Sequence, residues 1–574
     1  MAYLEAQLRE RLTVAFHAVA GETAEPALRR SQHADFQADG ALALARPLRR
    51  NPREIASDIV AKAQLDDLCR SVEVSGPGFI NLTVAEDALG RMLAESTADA
   101  RLGIARAEHP ETVTVDYSAP NAAKEMHVGH LRSTIIGDAV VRLLEWLGHT
   151  VIRQNHIGEW GTPFGMLIEH MIDIGSDEAA HELSVGDLNG FYRAARAKFD
   201  ADPAFQRRSR ARVVQLQAGD PPTLELWRTL VDESKKYFMA VYDRMDVRLT
   251  ADDFFGESFY NDRLQAVVDE LDERGLLELS DGAKCVFPEG FTNREGNPLP
   301  LIVQKRDGGF GYAATDLATI RRRTTELHAT RMLYVVGTPQ AQHLEMIFAV
   351  ARQAGWLRPP ARAEHVTFGS VLGKDGKILR TRAGDSVRLI DLLDEAVARA
   401  GASVAEKNPD LDDDERARVA QALGIGAVKY ADLSTDRTRD YVFDYDRMLS
   451  FTGNTAPYLQ YAHARIRSIF RRAQIDPPGA VDTVVLTEPA ERALALELLS
   501  FGPVVEQVAA SLEFHRLANH LYGLATAFTD FYERCPVLRA TGDVRTSRLV
   551  LCDLTSRTLQ RGLDVLGIIA PDRM

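Results

Sequence analysis

The sequence predicts an α/β protein in which a parallel-sheet domain stands between a small α/β domain and an all-α domain. The chain has 574 residues, which is too long for a single hydrophobic core. Strand-like and helical patterns alternate from about residue 112 to about residue 390, as a parallel sheet with crossover helices requires. Beyond about residue 395 nearly every apolar pattern has helical periodicity.

These changes of pattern set the predicted domain boundaries. We place the domains at residues 1–110, 111–390 and 391–574. The first has helical patterns near Leu4–Val19 and Arg53–Cys69 and a strand-like Phe79–Val84. In the second, polar helices broken by prolines between about residues 170 and 245 indicate an insertion in the parallel-sheet fold.

Composition and charge are ordinary for a soluble protein, with 45% hydrophobic and 26% charged residues. No stretch reaches the roughly 18 consecutive apolar residues of a membrane span, so no membrane partner is expected. The four cysteines are far apart and form no C-x-x-C pair, which favours a reducing cytoplasm and disfavours a metal site. The net charge of −14 argues against indiscriminate nucleic-acid binding but still allows local basic patches.

A β–turn–α–β unit begins the predicted parallel-sheet domain. Val113–Tyr117 has the pattern of a buried strand, and Ser118–Asn121 has that of its exit turn. Residues 129–147 then repeat apolar side chains at helical spacing. Gly148 is a stop signal for this helix, and a second strand begins at Val151.

His127, Gly129 and His130 stand at the start of this helix, where exposed N–H groups and the positive end of the helix dipole attract phosphate. Gly129 has no side chain and would let a ring or a phosphate approach the backbone. The histidines could donate hydrogen bonds to a phosphoryl group whose charge builds during displacement. Histidines at a helix start are also common as simple caps, and the four residues alone leave that alternative open.

Longer runs around these histidines carry a family resemblance. The chain reads SAPNAAKEMHVGHLRST over residues 118–134 and NHIGEWGTPFG over residues 155–165. The first run resembles the ATP-binding signature of class I aminoacyl-tRNA synthetases in the form that arginyl-tRNA synthetases have, and the second run fits the same family. The resemblance implies a Rossmann-like catalytic domain that binds ATP with Mg²⁺ through His127, Gly129 and His130, and an anticodon-binding function for the all-α domain.

A loop at residues 372–384 is a second candidate for phosphate binding. It carries four cations within nine positions: Lys374, Lys377, Arg380 and Arg382. The alternative is an ordinary hairpin at Asp375–Gly376 with solvated lysines on either side. The loop resembles the second signature of class I synthetases, in a degenerate form without the usual lysine-methionine-serine-lysine sequence. The resemblance implies that Lys374 and Lys377 are catalytic phosphate contacts and that Lys124 contributes compensating charge to the ATP site.

A pocket for arginine must offer carboxylates and neutral acceptors to a planar, permanently charged guanidinium. Tyr312 and Asp316 lie four positions apart and share a face if residues 311–317 are helical, although such a pair is more often a surface contact. Glu257 is a further candidate carboxylate, and an ordinary loop glutamate would explain it nearly as well.

The family resemblance implies that these residues belong to an arginine-binding site. It implies that Tyr312 and Asp316 bind arginine, as do three more residues: Asn121, His130 and Gln340. Asp316 and Glu257 would face the guanidinium, while Asn121 and Gln340 would hold the α-amino and carboxylate end. The arginine carboxylate would then attack the α-phosphorus of ATP in line, and no covalent enzyme nucleophile would be needed.

Aromatic and cationic side chains occur together on one predicted helix of the C-terminal domain. Tyr458 and Tyr461 share a face, and four arginines follow within eight positions, beginning at Arg465. Unpaired bases stack on aromatic rings and arginines meet phosphates, whereas the alternative is an amphipathic core helix with a basic outer side. This stretch resembles the anticodon-binding helix of the family, which implies tRNA contacts here and at Met574. The N-terminal domain resembles the family's extra domain that contacts the tRNA elbow.

The resemblance covers essentially the whole chain and implies arginine–tRNA ligase activity. Arginine, ATP and tRNA(Arg) would give arginyl-tRNA, AMP and pyrophosphate, with activation dependent on tRNA. We expect a cytoplasmic monomer without a tightly bound metal. Two alternatives are an enzyme of the same superfamily that acts on a small acid, and a protein of another class that binds RNA or regulates without activity. A nucleotidyl-transfer enzyme without RNA would not need Tyr458 and Tyr461, and an inactive RNA-binding relative need not keep both histidines or the Tyr312–Asp316 pair.

Overall fold

The computed structural model describes residues 3–21, 23–175, 188–380, 386–409 and 411–574. Two units share the chain. The first comprises Met1–Ala105, Ser450–Asp564 and Ile569–Met574, and the second comprises Arg106–Leu449 and Val565–Ile568. The N-terminal and C-terminal parts therefore belong to one unit, and the part between them forms the other.

An antiparallel sheet with the strand order β1-β2-β4-β3 forms the N-terminal part of the first unit. Its strands are β1 (Leu28–Arg30), β2 (Phe36–Ala38), β3 (Cys69–Ser75) and β4 (Phe79–Val84), and its helices are α1 (Leu4–Ala20), α2 (Gly40–Leu48), α3 (Pro52–Lys62) and α4 (Glu86–Thr97). Leu8, Leu12 and Phe16 line one face of α1 because they are four positions apart. They are buried in one core with Ile55 and Ile80.

Two of the elements predicted for this part are confirmed, since α1 and β4 occupy the predicted ranges. The predicted helix Arg53–Cys69 is wrong in its second half, because α3 ends at Lys62 and Cys69 begins β3. Gln64 has a positive φ of 46° and turns the chain. Leu65 and Leu68 therefore reach the core from a loop rather than from a helix.

A parallel sheet with the order β11-β10-β5-β6 forms the centre of the second unit, as the sequence predicts. The strands of this unit are β5 (Thr112–Asp116), β6 (Thr150–Gln154), β7 (Glu278–Ser280), β8 (Ala283–Val286), β9 (Leu301–Gln304), β10 (Arg331–Tyr334), β11 (Arg362–His365), β12 (Val371–Leu372) and β13 (Tyr441–Val442). β7, β8 and β9 make a separate antiparallel sheet, and β12 pairs in parallel with β13.

Helices surround these strands. They are α5 (Val128–Leu147), α6 (Thr162–Ile174), α7 (Leu188–Ala201), α8 (Pro203–Gln217), α9 (Pro221–Arg244), α10 (Asn261–Glu273), α11 (Tyr312–Thr325), α12 (Ala341–Gln353), α13 (Leu389–Lys407), α14 (Asp413–Leu433) and α15 (Tyr445–Met448). Short 3₁₀ turns cover Ala251–Asp253, Glu257–Tyr260 and Thr338–Gln340. The predicted β–turn–α–β unit is confirmed as β5, α5 and β6, and Gly148 ends α5 with a positive φ of 94°.

Helices α7, α8 and α9 lie in the predicted insertion. Asp202 caps α8 by accepting a hydrogen bond from the N–H of Ala204, and Asp220 caps α9 by accepting from the N–H of Thr223. A proline follows each of these caps at the first turn. The Asp–Pro breaks in the sequence pattern are therefore starts of new helices rather than long loops.

Helices α13 and α14 lie in the second unit, whereas the sequence analysis assigned everything after residue 390 to the C-terminal domain. Arg132 of α5 explains this difference. Its Nε lies 3.1 Å from the carboxylate of Asp432 on α14, and each of the two side chains is only 1% exposed. Helical periodicity alone cannot show which unit a helix packs on, since that depends on buried partners far away in the sequence.

The C-terminal part of the first unit is helical, as predicted. Its helices are α16 (Ala456–Ala473), α17 (Pro489–Leu499), α18 (Phe501–Ser511), α19 (Phe514–Arg534) and α20 (Gly542–Val565). On α17, Leu496 joins the N-terminal core, and Arg492 forms ion pairs of 2.5 Å with Asp35 and 3.0 Å with Glu86. Pro489–Ser511 is apolar enough for a membrane span, with a mean hydropathy of 1.4. It is divided at Ser500 between two helices and packs in this unit.

Candidate functional site

The start of α5 carries two histidine rings side by side. His127 is the N-cap residue, and its Nδ1 accepts a hydrogen bond of 3.0 Å from the backbone N–H of Gly129. The backbone N–H of His127 donates to Nδ1 of His130 at 3.1 Å, and the two ring centroids are 4.1 Å apart. Because each Nδ1 is an acceptor, the neutral rings carry their protons on Nε2 as hydrogen-bond donors.

Glycine is needed at position 129 by the same geometry. A Cβ atom there would lie 2.7 Å from Cε1 and 2.8 Å from Nδ1 of His127. Any side chain would therefore push the His127 ring away from the cap. The two histidines can cap the helix and also bind phosphate, because the caps use Nδ1 and leave Nε2 for a ligand.

Burial, with a smaller effect of neighbouring charge, lowers the pKa of both histidine rings. Burial lowers the pKa of His130 to about 3, and the neighbouring His127 ring lowers it further. Burial is also the main cause that lowers the pKa of His127, followed by the positive charge of Lys124. The ammonium of Lys124 itself is exposed and lies 4.3 Å from the ring centroid of Tyr192 on α7.

The segment that follows the cationic loop runs beside the start of α5. The backbone N–H of Val128 donates to the carbonyl oxygen of Val387 at 3.0 Å. The next residue, Arg388, forms an ion pair of 2.9 Å with the buried Glu125. Val387 and Arg388 are thereby held next to the start of α5.

The loop itself is a hairpin over its described residues, which is the alternative that the sequence analysis left open. The N–H of Gly373 donates to the carbonyl oxygen of Lys377 at 2.7 Å, and Gly376 has a positive φ of 73°. Arg380 forms an isolated bridge with Ser386. Arg382 lies outside the described residues.

The two lysines predicted to contact phosphate are solvent-exposed on this hairpin. The Nζ atom of Lys374 lies 3.1 Å from the carboxylate of Asp444 and 3.4 Å from that of Asp446. Hydrogen bonds to these two carboxylates raise the pKa of Lys374. The structure thus pairs Lys374 with residues near α15 and not with the histidines of α5.

In the second unit the charges of Glu159 and Asp316 act on Glu257, and we call these three residues the carboxylate cluster. Burial raises the pKa of Glu257 to about 7, and the negative charges of Glu159 and Asp316 raise it further. Burial also raises the pKa of Glu159 to about 7, against the opposing effect of its hydrogen bonds from Ser258. A cationic ligand beside these groups would lower the pKa of both glutamates and favour their charged forms.

Helix α11 positions the third member of the carboxylate cluster. Tyr312 is its first residue, and Asp316 follows one turn later, so the predicted helical pair is confirmed as to secondary structure. Tyr312 is 76% exposed. The Nε2 atom of His343 on α12 lies 2.6 Å from Oδ2 of Asp316, and this contact raises the pKa of His343. Gln340 is exposed in the 3₁₀ turn directly before α12.

Asn121 lies against the chain segment that bears Glu159. It forms an isolated bridge with Gly158, and the N–H of Ala122 donates to the Gly158 carbonyl oxygen at 2.9 Å. A Cβ atom at Gly158 would lie 2.3 Å from Oδ1 of Asn121. The fold thus brings the turn after β5 to one side of the carboxylate cluster.

Sequence reasoning missed Glu159, Ser258 and His343. Glu159 and Ser258 stood in or beside stretches that were already singled out, Glu159 within NHIGEWGTPFG and Ser258 next to Glu257. Their pairing joins positions 99 residues apart, so no local pattern shows it. His343 lies within one helical turn of Gln340, and this spacing was the available signal.

In the first unit, α16 and α19 each carry two tyrosines that we call the aromatic face: Tyr458, Tyr461, Tyr522 and Tyr532. The rings of Tyr458 and Tyr522 are 5.6 Å apart between centroids. The guanidinium carbon of Arg465 lies 4.3 Å from the ring centroid of Tyr532. Tyr461 is 48% exposed, so this face presents an aromatic ring to solvent next to a cation.

The basic end of α16 is tied to the end of the chain. The Nε2 atom of His463 lies 3.1 Å from Oδ1 of Asp572, and the Asp572 carboxylate lies 3.5 Å from Nε of Arg467. Arg471 donates to the carbonyl oxygen of Asp572 at 2.8 Å. Two of the four arginines therefore hold the chain end, and Met574 follows half-buried.

A metal centre is not formed by the part of the chain that the structure describes. Within those residues no three histidine, cysteine, aspartate or glutamate side chains are grouped as potential metal ligands. Cys69, Cys285, Cys535 and Cys552 are all free and buried.

Three protein-family models match the chain. Residues 93–445 match the model described as "tRNA synthetases class I (R), catalytic domain". Residues 459–574 match "DALR anticodon binding domain", and residues 3–84 match "Arginyl tRNA synthetase N terminal domain". The first of these models alone covers more than half of the chain.

Individual proteins are similar over nearly the whole length. The arginine–tRNA ligase of Thermobifida fusca is 58% identical over 551 residues, which cover 96% of this chain and 95% of that protein. That of Frankia casuarinae is 54% identical, with 96% and 95% covered. The crystal structure of arginyl-tRNA synthetase from Plasmodium falciparum superposes with a TM-score of 0.86 at 29% identity, covering 100% of both chains. The Thermus thermophilus arginyl-tRNA synthetase gives 0.80 at 26% identity, covering 99% of this chain and 100% of that one.

Proposed function

Because this chain belongs to the arginyl-tRNA synthetases, enzymes that join arginine to tRNA(Arg), we propose that its carboxylate cluster binds the arginine guanidinium and its α5 histidines bind ATP. The carboxylate cluster is the observation that carries this assignment. The buried Glu257 and the partly exposed Asp316 are near enough for the charge of Asp316 to raise the pKa of Glu257, and a cation between them would be stabilised by both. A guanidinium supplies that charge in a planar form that two carboxylates can bind through separate N–H groups.

The remaining arginine contacts follow from their positions. Tyr312 is one turn from Asp316 on α11 and offers a hydroxyl beside the guanidinium. Asn121 lies against the Glu159 segment, and Gln340 lies one turn before His343. Amide side chains donate as well as accept, so Asn121 and Gln340 suit the amino and carboxylate groups of the amino acid. A substrate without the cation would leave these carboxylates unpaired, which gives the selectivity.

The ATP end uses the start of α5. The Nε2–H groups of His127 and His130 donate to phosphate oxygens, Gly129 lets the phosphate approach, and the helix dipole favours the negative charge. His130 is the residue between the two substrates, since it contacts arginine as well. Lys124, Lys374 and Lys377 balance the charge of the departing pyrophosphate, with Mg²⁺ bound to the ATP phosphates as part of the substrate.

The reaction is an in-line displacement. The arginine carboxylate oxygen attacks the α-phosphorus of ATP, a new O–P bond forms and pyrophosphate leaves with the electrons of the broken P–O bond. The 3′-terminal ribose hydroxyl of tRNA(Arg) then attacks the carbonyl carbon of arginyl-adenylate, and AMP leaves. Lys374 must part from Asp444 and Asp446 to reach the phosphates, so the hairpin moves during the cycle.

For the RNA, we propose that the aromatic face and Arg465 bind anticodon bases and phosphates, with Met574 at the edge of this surface. Tyr461 supports this because an exposed tyrosine beside a cation is suited to stacking an unpaired base. The N-terminal part contacts the tRNA elbow, and arginine activation requires the bound tRNA. We further propose a cytoplasmic monomer. Light scattering of the purified protein checks the oligomeric state, and a mass near twice 63.5 kDa would contradict it.

The assignment is tested by ATP–pyrophosphate exchange with each amino acid, in the presence and absence of tRNA(Arg). Exchange that depends on arginine and on tRNA is the expected result. Stimulation by a different amino acid alone would remove the arginine assignment of the carboxylate cluster. Full-rate exchange without tRNA would remove only the proposed tRNA requirement.

A further inference from the structure

Glu159 is the member of the carboxylate cluster for which the arginine site has no direct use. The residue is 3% exposed. Its Oε1 accepts from the backbone N–H of Ser258 at 3.1 Å and from the Ser258 hydroxyl at 2.6 Å. Its Oε2 is buried and has no hydrogen-bond partner among the described residues. A buried, unpartnered carboxylate oxygen is costly in free energy, and a proton on it relieves that cost.

Crossed hydrogen bonds hold Glu159 and Glu257 in one geometry. Glu159 accepts from Ser258, the residue after Glu257, while Oε2 of Glu257 accepts from the N–H of Trp160, the residue after Glu159, at 3.2 Å. Gly256 permits this approach, since a Cβ atom there would lie 2.1 Å from Oε1 of Glu159. Neither carboxyl group can turn towards solvent without losing a bond to the other segment.

The charges around the pair are few. Lys235 lowers the pKa of Glu159 through its positive charge, and Asp316 raises the pKa of Glu257. His343 faces Asp316 from α12. Burial is the largest cause and raises the pKa of both glutamates to about 7, and the charge of Glu159 raises that of Glu257 further, so that the two acids titrate as a coupled pair near neutral pH.

Resting on the arginine site proposed above, we infer that Glu159 is a positioning residue that shares one proton with Glu257 in the empty site and that this proton leaves when a guanidinium binds. In the empty site one group is a carboxyl and the other a carboxylate. On binding, the O–H bond breaks, its electron pair stays on the carboxylate and the proton passes to the buffer. The guanidinium keeps its own protons and charge.

This exchange explains how a buried acidic pocket can exist without its ligand. The proton keeps the empty pair from carrying two unbalanced charges, and the arriving cation takes its place. A neutral analogue such as citrulline would not displace the proton. Glu159 would therefore raise the selectivity for a charged substrate without touching it.

Proton release is measured by titrating arginine into the full-length protein at pH 7.0, with calorimetry in phosphate and in Tris buffer. The difference in heat between buffers of different ionisation enthalpy gives the number of protons released. We expect between about 0.5 and 1 for the wild-type protein, and an arginine affinity that rises about tenfold between pH 6 and pH 8. Citrulline serves as the neutral probe, and no proton release is expected with it.

The variant Glu159→Gln separates the inference from the arginine site itself. It should still bind arginine at pH 8.5 within about threefold of wild type, but release fewer protons than wild type at pH 7.0 and show a weaker dependence of affinity on pH, because Glu257 keeps the effect of burial but loses that of the Glu159 charge. Glu289→Gln changes an exposed glutamate and should behave as wild type. If Glu159→Gln does not fold, the proton count of the wild-type protein decides alone.

Two outcomes count against different claims. Wild-type binding of arginine without buffer-dependent heat between pH 6 and pH 7.5 would overturn the shared proton and leave the arginine site standing. Undiminished proton release by a folded Glu159→Gln protein would overturn the role of Glu159. Absence of arginine binding at pH 8.5, with and without tRNA, would instead contradict the proposed arginine site.

Discussion

Asp316 is the residue through which the proposed site most directly selects arginine. Its carboxylate is held by His343 at 2.6 Å and is 25% exposed at the side chain, so it is preorganised yet reachable. We expect Asp316→Asn to lower kcat/KM for arginine by about 150-fold, corresponding to about 3 kcal/mol for a lost charge-assisted contact. The KM for ATP should change less than about twofold. Asp262→Asn, on the exposed face of α10, is the matched control.

Equal losses in arginine and ATP parameters for Asp316→Asn would argue against a specific guanidinium contact. The prediction also distinguishes Asp316 from Glu159. Asp316→Asn should weaken arginine binding at every pH, whereas the effect of Glu159→Gln should depend on pH. Steady-state exchange kinetics in the presence of tRNA measure both KM values on the same preparation.

His130 is predicted to stay neutral across the physiological pH range. Burial lowers its pKa in the folded protein to about 3, while the unfolded chain has the ordinary value of 6.5. Between these values the unfolded state binds a proton that the folded state does not, so this residue makes the free energy of unfolding fall as the pH falls below 6.5. Histidine-selective ¹⁵N NMR should show His130 as the Nε2–H tautomer from pH 5.5 to pH 8. An imidazolium signal for His130 at pH 6 would contradict this.

Individual residues also show which features of the site could not be predicted from the sequence. The helix cap that His127 forms with Gly129 could be considered from the sequence, because the two residues are only two positions apart in the chain. The pairing of Lys374 with Asp444 and Asp446 was not, because it joins a hairpin to a turn about seventy residues later. Glu159 was inside a recognised motif, yet its burial and its unpartnered oxygen depend on the packing of the Gly256 segment.

At the level of elements, α16 combines a structural and a binding role on different faces. His463, Arg467 and Arg471 hold the chain end at Asp572, whereas Tyr461 is exposed on the aromatic face. The amphipathic core helix and the RNA-facing helix, which the sequence analysis weighed as alternatives, are therefore compatible in one element. The helical pattern predicted α16 itself, but it could not show which arginines were engaged within the protein.

Tyr461→Ala tests the binding role of this element. Loss of one base–aromatic stack should raise the KM for tRNA(Arg) by about tenfold, since stacking contributes roughly 1–3 kcal/mol per base. The kcat of aminoacylation at saturating tRNA should be unchanged, because the nucleotide site lies in the other unit. Leu279→Ala removes an apolar side chain from β7 that is 78% exposed, more than Tyr461, and should have no effect. A fall in kcat with an unaltered KM would place the role of Tyr461 elsewhere.

Across the whole molecule, the sequence predicted the order of the α/β, parallel-sheet and all-α parts along the chain. It did not predict which of these parts form one compact unit. The alternation of strands and helices identified the parallel sheet, because the apolar periodicity of each strand and helix can be seen in a short stretch of sequence. The first unit instead joins residues separated by hundreds of positions, as in the ion pair between Asp35 and Arg492. The assignment of α13 and α14 to the second unit depends likewise on the buried Arg132–Asp432 pair. Such long-range pairs leave no periodic signal.

The net charge of the molecule makes the salt dependence of tRNA binding informative. At −14 the protein as a whole repels RNA, so binding must depend on a small number of local cations such as Arg465. The logarithm of the tRNA affinity should fall linearly with the logarithm of the KCl concentration, and Arg465→Gln should reduce the magnitude of that slope by about 0.7–1 if the side chain meets one phosphate. Arg274→Gln, in an exposed ion pair of the second unit, should leave the slope unchanged. Should Arg465→Gln weaken binding with the slope intact, the contact of Arg465 with Tyr532 would be its main role, and the phosphate contact would be wrong.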